Sequence, residues 1–203
     1  MKGNKTGENR IAVRTSIGDA TGGDSAAVRT SEGDATGGYS AAVHTSIGNA
    51  TGGDSSAVHT SEGNATGGYN SAVRSYKGNA TGGDSAAVHT SKGDATGGDF
   101  SAVRTYEGDA TGGDFAAVRS DIGDATGGDF SVVMGTTVQI GINSVGAVLN
   151  DDGIITDIWI NAKEDDINIH YGEGNAQKEH TVIVDGEEKT ISEDLYNNII
   201  KEK

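Results

Sequence analysis

Between residues 11 and 135 the chain repeats one pattern of apolar and polar positions every fifteen residues. A Val returns at Val13, Val28, Val43, Val58, Val73, Val88, Val103, Val118 and Val133. Ala precedes it each time until Val132, and a base follows it each time until Met134. The run Ala-Ala-Val-Arg-Thr therefore alternates, which predicts a short strand with Val inward and Ala and Arg on the other face. Gly recurs from Gly18 to Gly123, and Ala-Thr-Gly-Gly recurs unchanged from Ala20–Gly23 to Ala125–Gly128. These glycines suit corners, where positive φ or close backbone approach is wanted. Other positions drift, as in Ile17, Glu32, Ile47, Glu62 and Lys77, and such columns are expected to face water.

A short, fixed period means stacking coils. Fifteen residues cannot hold a helix–turn–helix unit, which needs about 34. The expected fold is all-β: a parallel β-solenoid (β-roll) with 15-residue coils, nine in number at roughly 4.8 Å each. The expected boundaries are an N-terminal tail at 1–10, the solenoid at 11–135, a β-rich cap at 136–172, and a hairpin plus short helix at 173–203. In the cap, Ile154, Thr156, Ile158 and Ile160 alternate around Trp159, the single Trp of the chain. Asp185-Gly186 predicts the turn of the hairpin, and Ser192 a helix N-cap. A linker would share the Gly/Ser/Thr composition, but composition alone does not hold Val in register over such a length.

Composition sharpens this picture. Gly accounts for 33 of 203 residues, and Pro and Cys are absent. The apolar letters are mostly Ala and Val, so each coil buries little area. A rod this thin should be capped, oligomeric or both. Phe100, Phe115 and Phe130 replace the Ser or Asn of earlier coils, which suggests a thicker core or a docking face for the C-terminal segment. The formal net charge is −15. It disfavours direct binding of nucleic acid or of an anionic membrane. The N-terminus is polar and lacks a secretory pattern, and no apolar run approaches the roughly 20 residues that span a bilayer. A cytoplasmic or virion-associated location is the expectation.

The run Ala-Thr-Gly-x-x-Ser-x-Ala-Val, at Ala20–Val28 and Ala80–Val88, resembles the head repeat of trimeric autotransporter (YadA-like) adhesins. It is also similar to tandem-repeat β-solenoid proteins of phages and prophages. The resemblance covers about 11–146 and implies a parallel β-roll, a possible homotrimer and no catalytic residues. The Gly that commonly follows the apolar residue in those repeats is Arg or His here.

The sharpest polar feature is the base column Arg14, Arg29, His44, His59, Arg74, His89, Arg104 and Arg119. It is a candidate binding surface. The simpler expectation is that it pairs with the Asp/Asn column (Asp19 to Asp124) or with Asp24-type residues, offsetting like charge. Gly22-Gly23-Asp24 lacks the further Gly of calcium-binding nonapeptides, so no metal is expected. Two hydroxyl columns, Thr15 to Ser120 and Thr21 to Thr126, are expected on different faces, held by ladder hydrogen bonds. No nucleophile–base pair is legible, and the histidines alternate with Arg, so neither catalysis nor a cofactor is expected. The sequence thus predicts a non-enzymatic rod, a spacer or recognition surface for a protein partner or for itself. An acidic decoy for a host nucleic-acid-binding protein comes second, and an ice- or surface-binding protein third.

Overall fold

The alternation builds two stacks of parallel strands that share one interior in the computed structural model, which describes residues 2–161 in full and the strands Asn168–Gly172, Glu179–Val184 and Glu187–Ser192 by their backbone. Each coil contributes one long strand, such as Ala57–Glu62, and one short strand, such as Ala65–Thr66. The short strands form a ten-stranded sheet from Lys5–Thr6 to Thr137–Gln139. The long strands form a second sheet from Ala12–Arg14 to Ser144–Leu149. Register is set by the period: Val58 lies opposite Val43 and Val73, each fifteen residues away. About ten turns of a parallel β-solenoid result. Among the described residues all regular structure is β.

The interior is one residue deep. Val28, Val43, Val58, Val73, Val88, Val103 and Val118 point in from the long strands and are at most 3% exposed. Ala35, Ala50 and their equivalents face them from the short strands. A Cβ added at Gly22 would lie 2.6 Å from Val28 Cγ2, so the wall opposite the valines has room only for Gly. Gly48 is demanded by conformation instead. Its φ is 133°, and a Cβ would strike the Gly33 carbonyl of the coil below. A third corner carries no Gly: Ser25, Ser40, Ser55, Asn70, Ser85, Phe100, Phe115 and Phe130 all adopt left-handed φ of 52–58°.

The buried hydroxyl column closes the remaining polar gap. Thr60 Oγ1 donates to the carbonyl of Gly48 at 2.9 Å, and Ser75 Oγ to that of Gly63 at 2.9 Å. The same bond recurs from Thr15 to Thr136. Without it each coil would leave a carbonyl short of a partner beside the core.

Stacking starts upstream of residue 11. Lys5 and Thr6 pair with Ala20 and Thr21, and Gly3 donates to the Ile17 carbonyl at 2.7 Å. It also continues past residue 135, because Val132–Gly135 pairs in parallel with Ser144–Leu149. The last coil is two residues shorter: Asp124 lies opposite Thr137, thirteen positions on. The sheet then reverses. Ile155–Asn161 pairs antiparallel with Ser144–Leu149, and the three remaining strands follow antiparallel. Val184 lies opposite Glu187, the register of the expected hairpin. The Asp185-Gly186 turn and the expected C-terminal helix lie outside the described residues.

Thr60→Val keeps the side-chain shape but removes the donor to Gly48, and it should cost about 1–3 kcal/mol. Thr60→Ser keeps the hydroxyl and should cost about 1 kcal/mol or less. Urea unfolding followed by circular dichroism measures both, and equal losses would show that the hydroxyl is not the stabilising group.

Candidate functional site

The base column lies on the outward face of the long-strand sheet. Arg29, His44, His59, Arg74, His89, Arg104 and Arg119 are consecutive rungs, each paired in register with the next. Strand alternation puts them there: their neighbours Val28 and Thr30 are buried, so the base must point out. One flank is a row of exposed Ala, such as Ala27, Ala42 and Ala57. The other is a row of Ser that becomes Tyr76, Tyr106 and Asp121. Two shallow depressions open on this face, one of about 340 Å³ against Arg14, Ser16, Arg29 and Ser31, the other of about 200 Å³ against Arg14, Arg29, His44 and the Ala row.

The expected pairing of this column with the Asp/Asn or Asp24-type residues does not occur. Those side chains serve the backbone. Asp19 Oδ1 accepts the Asp34 N–H at 3.0 Å, and Asn49 Oδ1 accepts the Asn64 N–H at 3.0 Å. Asp24 Oδ1 likewise accepts the Tyr39 N–H at 2.9 Å. Each such oxygen replaces a carbonyl where the chain turns a corner, which explains why Asp and Asn interchange: the bond needs Oδ1, not charge. Tyr39 and Tyr69 interrupt the second ladder, because Tyr brings no Oδ1 to the coil above. The anion that does meet the bases is Asp121. Arg104 Nη2 reaches it at 3.1 Å and Arg119 Nε binds its other oxygen. Burial pushes the Asp121 carboxyl up, but hydrogen bonds from Arg119 and Arg104 outweigh this and hold it below the usual carboxylate range. Its trace in the sequence was a single Asp two residues after Arg119 in a column of Ser and Tyr. Arg14, Arg29 and Arg74 make no ion pair among the described residues.

The three histidines are half-buried, and all three titrate below the ordinary imidazole range. For His44 the causes are burial, then Arg29; for His59, burial, then His44 and Arg74. For His89 they are burial, then Arg74 and Arg104, opposed by Asp121. The His44 and His59 rings stack at 5.0 Å. His44 Nδ1 is buried without a hydrogen-bond partner among the described residues.

The other candidates separate clearly. Phe100, Phe115 and Phe130 do not thicken the core. They are 51–64% exposed and stack in near-parallel fashion at 4.9 and 4.8 Å, because the left-handed corner turns their side chains outward. The C-terminal strands extend the long-strand sheet instead. Trp159 is half-buried, in register with Gly146. The two hydroxyl columns lie on different faces as expected, but they differ in bonding. The Thr15 column is internal, whereas Thr21, Thr36, Thr51, Thr66, Thr81, Thr96 and Thr111 are exposed, and no hydroxyl hydrogen bond holds them within the described residues. No group of three or more His, Cys, Asp or Glu side chains with metal-binding proximity occurs among the described residues. No helix among them is long and apolar enough to cross a membrane. No family model, curated protein or solved structure matches the chain.

The depressed imidazoles fix a pH dependence. Above about pH 6.5 folded and unfolded histidines are both neutral, and stability is full. As pH falls, the unfolded chain takes up protons first, so stability declines through the folded-state values. Arg74→Ser should raise the titration midpoints of His59 and His89 but leave His44 unmoved, read by NMR of the ring protons. A shift shared equally by all three would contradict the local origin of the effect.

Proposed function

We propose that the chain is a non-enzymatic rod, a rigid spacer whose flat long-strand face is a recognition surface for a partner protein or for further copies of itself. The observation that carries this reading is the unbroken register from Val13 to Val133, which holds eight bases in one straight outward row. A solenoid coil touches only its neighbours, so length scales with repeat number while both ends keep their structure. A phage or prophage origin accords with the resemblance of the repeat. The acidic-decoy reading is weaker, because most carboxylates of the two Asp columns have one oxygen committed to the next coil.

Removing residues 60–89, two whole coils, should shorten the particle's longest dimension by about 10 Å. Small-angle X-ray scattering measures this, with circular dichroism as the check on the fold. An unchanged dimension would sink the spacer reading.

One observation favours a second reading, binding to an ordered surface such as ice. The Thr column is exposed at every coil from Thr21 to Thr111, no hydrogen bond holds its hydroxyls among the described residues, and the neighbouring Asp/Asn column is locked by backbone bonds. Together they form a stiff two-row lattice on the short-strand face. Ice-growth microscopy tests it: thermal hysteresis in the native chain that Thr66→Lys abolishes would support the reading, and normal ice growth would remove it.

A further inference from the structure

We infer that the apolar C-terminal end of the long-strand face docks a second copy of the chain, turned end for end, so that two rods overlap there and their N-terminal ends point apart. The inference rests on the recognition-surface reading above and names the partner as the chain itself.

The outward face changes character after Arg119. Up to that coil its two columns carry Ala and a base. In the next three rungs they carry Val132 and Met134, Val145 and Ala147, and Ile160 and Ile158, each rung in register with the one before. Val132 is 59% exposed, and Val145 and Ile160 are 37% exposed. Met134, Ala147 and Ile158 are half-buried. Phe100, Phe115 and Phe130, the exposed stack at the left-handed corner, stand two residues before Ala102, Ala117 and Val132. The Phe stack and the Val/Ile column together expose roughly 500 Å² of apolar surface, at the upper end of what a soluble monomer shows. Covered on both copies, this reaches the roughly 1,000 Å² that a specific interface needs.

The chemistry of the patch narrows its occupant. Within the Phe stack each ring covers the face of the next, at 4.9 and 4.8 Å. Along the rod it therefore presents ring edges, not the open faces on which a sugar would stack. Asp99, Asp114 and Asp129 border the stack in sequence, which disfavours an anionic bilayer. Asp121 holds both Arg104 and Arg119, so the coils beside the patch offer little free charge to draw in an oppositely charged protein.

The relief of the face fits a reversed copy. Its outer column is small at Ala87, Ala102 and Ala117 and large at Val132, Val145 and Ile160. A two-fold axis across the rod between Ala117 and Val132 sets the small rungs of each copy against the large rungs of the other. A parallel copy would set large on large and would bring the free bases Arg14 and Arg29 of both chains together. The reversed copy carries those bases to opposite ends. Because both chains use the same patch, the contact closes at two.

The test is size-exclusion chromatography with multi-angle light scattering, on the full chain over the micromolar range. The native chain should weigh twice the 20.6 kDa of one copy. Phe100→Ser/Phe115→Ser/Phe130→Ser/Val132→Ala installs the residues that Ser40 and Ala42 supply in an earlier coil, where Ser40 holds the same left-handed φ. The fold should therefore persist, as circular dichroism checks, while the dimer dissociation constant rises about a hundredfold or more. Arg14→Ser/Arg29→Ser should leave that constant unchanged. The chain has no Cys, so Ser31→Cys at an exposed site takes a single nitroxide. Dipolar spectroscopy should place the two labels of a dimer more than about 40 Å apart, because several coils of about 4.8 Å separate Ser31 from the patch in each copy. A monomer or a trimer, a dimer that survives the four-residue variant, a dimer weakened by the Arg variant, or labels within about 25 Å would each overturn the inference. The two-coil deletion, made in the four-residue variant, reads the spacer role on a single chain, so failure of that reading and failure of this one are separate results.

Discussion

Everything in this molecule depends on the narrowness of the coil interior. One Val and one hydroxyl residue reach inward from the long strand, one Ala from the short strand, and the wall between them has room only for Gly. So small a core cannot stabilise a coil by apolar burial alone. Stability comes from the ladder between coils, and the ladder runs in register only while every coil has the same shape. That is why the inward columns hardly vary. It is also why side chains are recruited to complete the backbone's hydrogen bonds: hydroxyls inside, carboxamide and carboxylate oxygens at the corners.

How much of this the letters disclosed depends on whether a position is constrained by volume or by bonding. Val28 and Gly22 are constrained by volume, and their invariance announced both the period and the inward face. The Asp/Asn column is constrained by bonding to a neighbour coil, and its drift between charged and neutral forms looked like surface variation. The corner at Ser25 is silent in the sequence because left-handed backbone usually announces itself as Gly, yet here it carries Ser, Asn and Phe. The Phe column, expected to thicken the core or to dock the C-terminal segment, is instead an exposed stack at that corner. The first coil was legible in principle. Gly3, Asn4, Thr6, Gly7 and Asn9 stand fifteen residues before Gly18, Asp19, Thr21, Gly22 and Asp24, with Asn filling both oxygen-donating positions. Lys5 and Glu8 disguised the match. On the candidate site, the eight bases were legible as a column, but the anion that meets two of them, Arg104 and Arg119, was not, because Asp121 occurs once and repeats are read by what recurs.

The electrostatic layout follows from the same economy. Where a side chain must supply an oxygen to the next coil, Asp and Asn are the residues of the right length, so acidic charge accumulates along the corners for structural reasons. The long-strand face has no such duty, and its outward positions are free to carry bases. A strongly acidic chain and a basic stripe are thus compatible outcomes of one architecture, separated by the thickness of a coil. The same reasoning places the histidines: half-buried between cations, they hold a proton less readily than free imidazole and leave the middle of the row neutral at pH 7.

The two tyrosines in the Asp24 column have a mechanical consequence. Coils along that edge are riveted by a side-chain oxygen below and an amide above, except where Tyr39 and Tyr69 sit beneath Asp54 and Asp84. On that edge those two joints rely on the main-chain ladder alone, while the other corner of the same coils stays bonded through the Asn49 N–H to Asp34 Oδ1 and the Asn79 N–H to Asn64 Oδ1. An axial load therefore meets its least reinforced seams along that one edge, between the coils of Tyr39 and Asp54 and those of Tyr69 and Asp84.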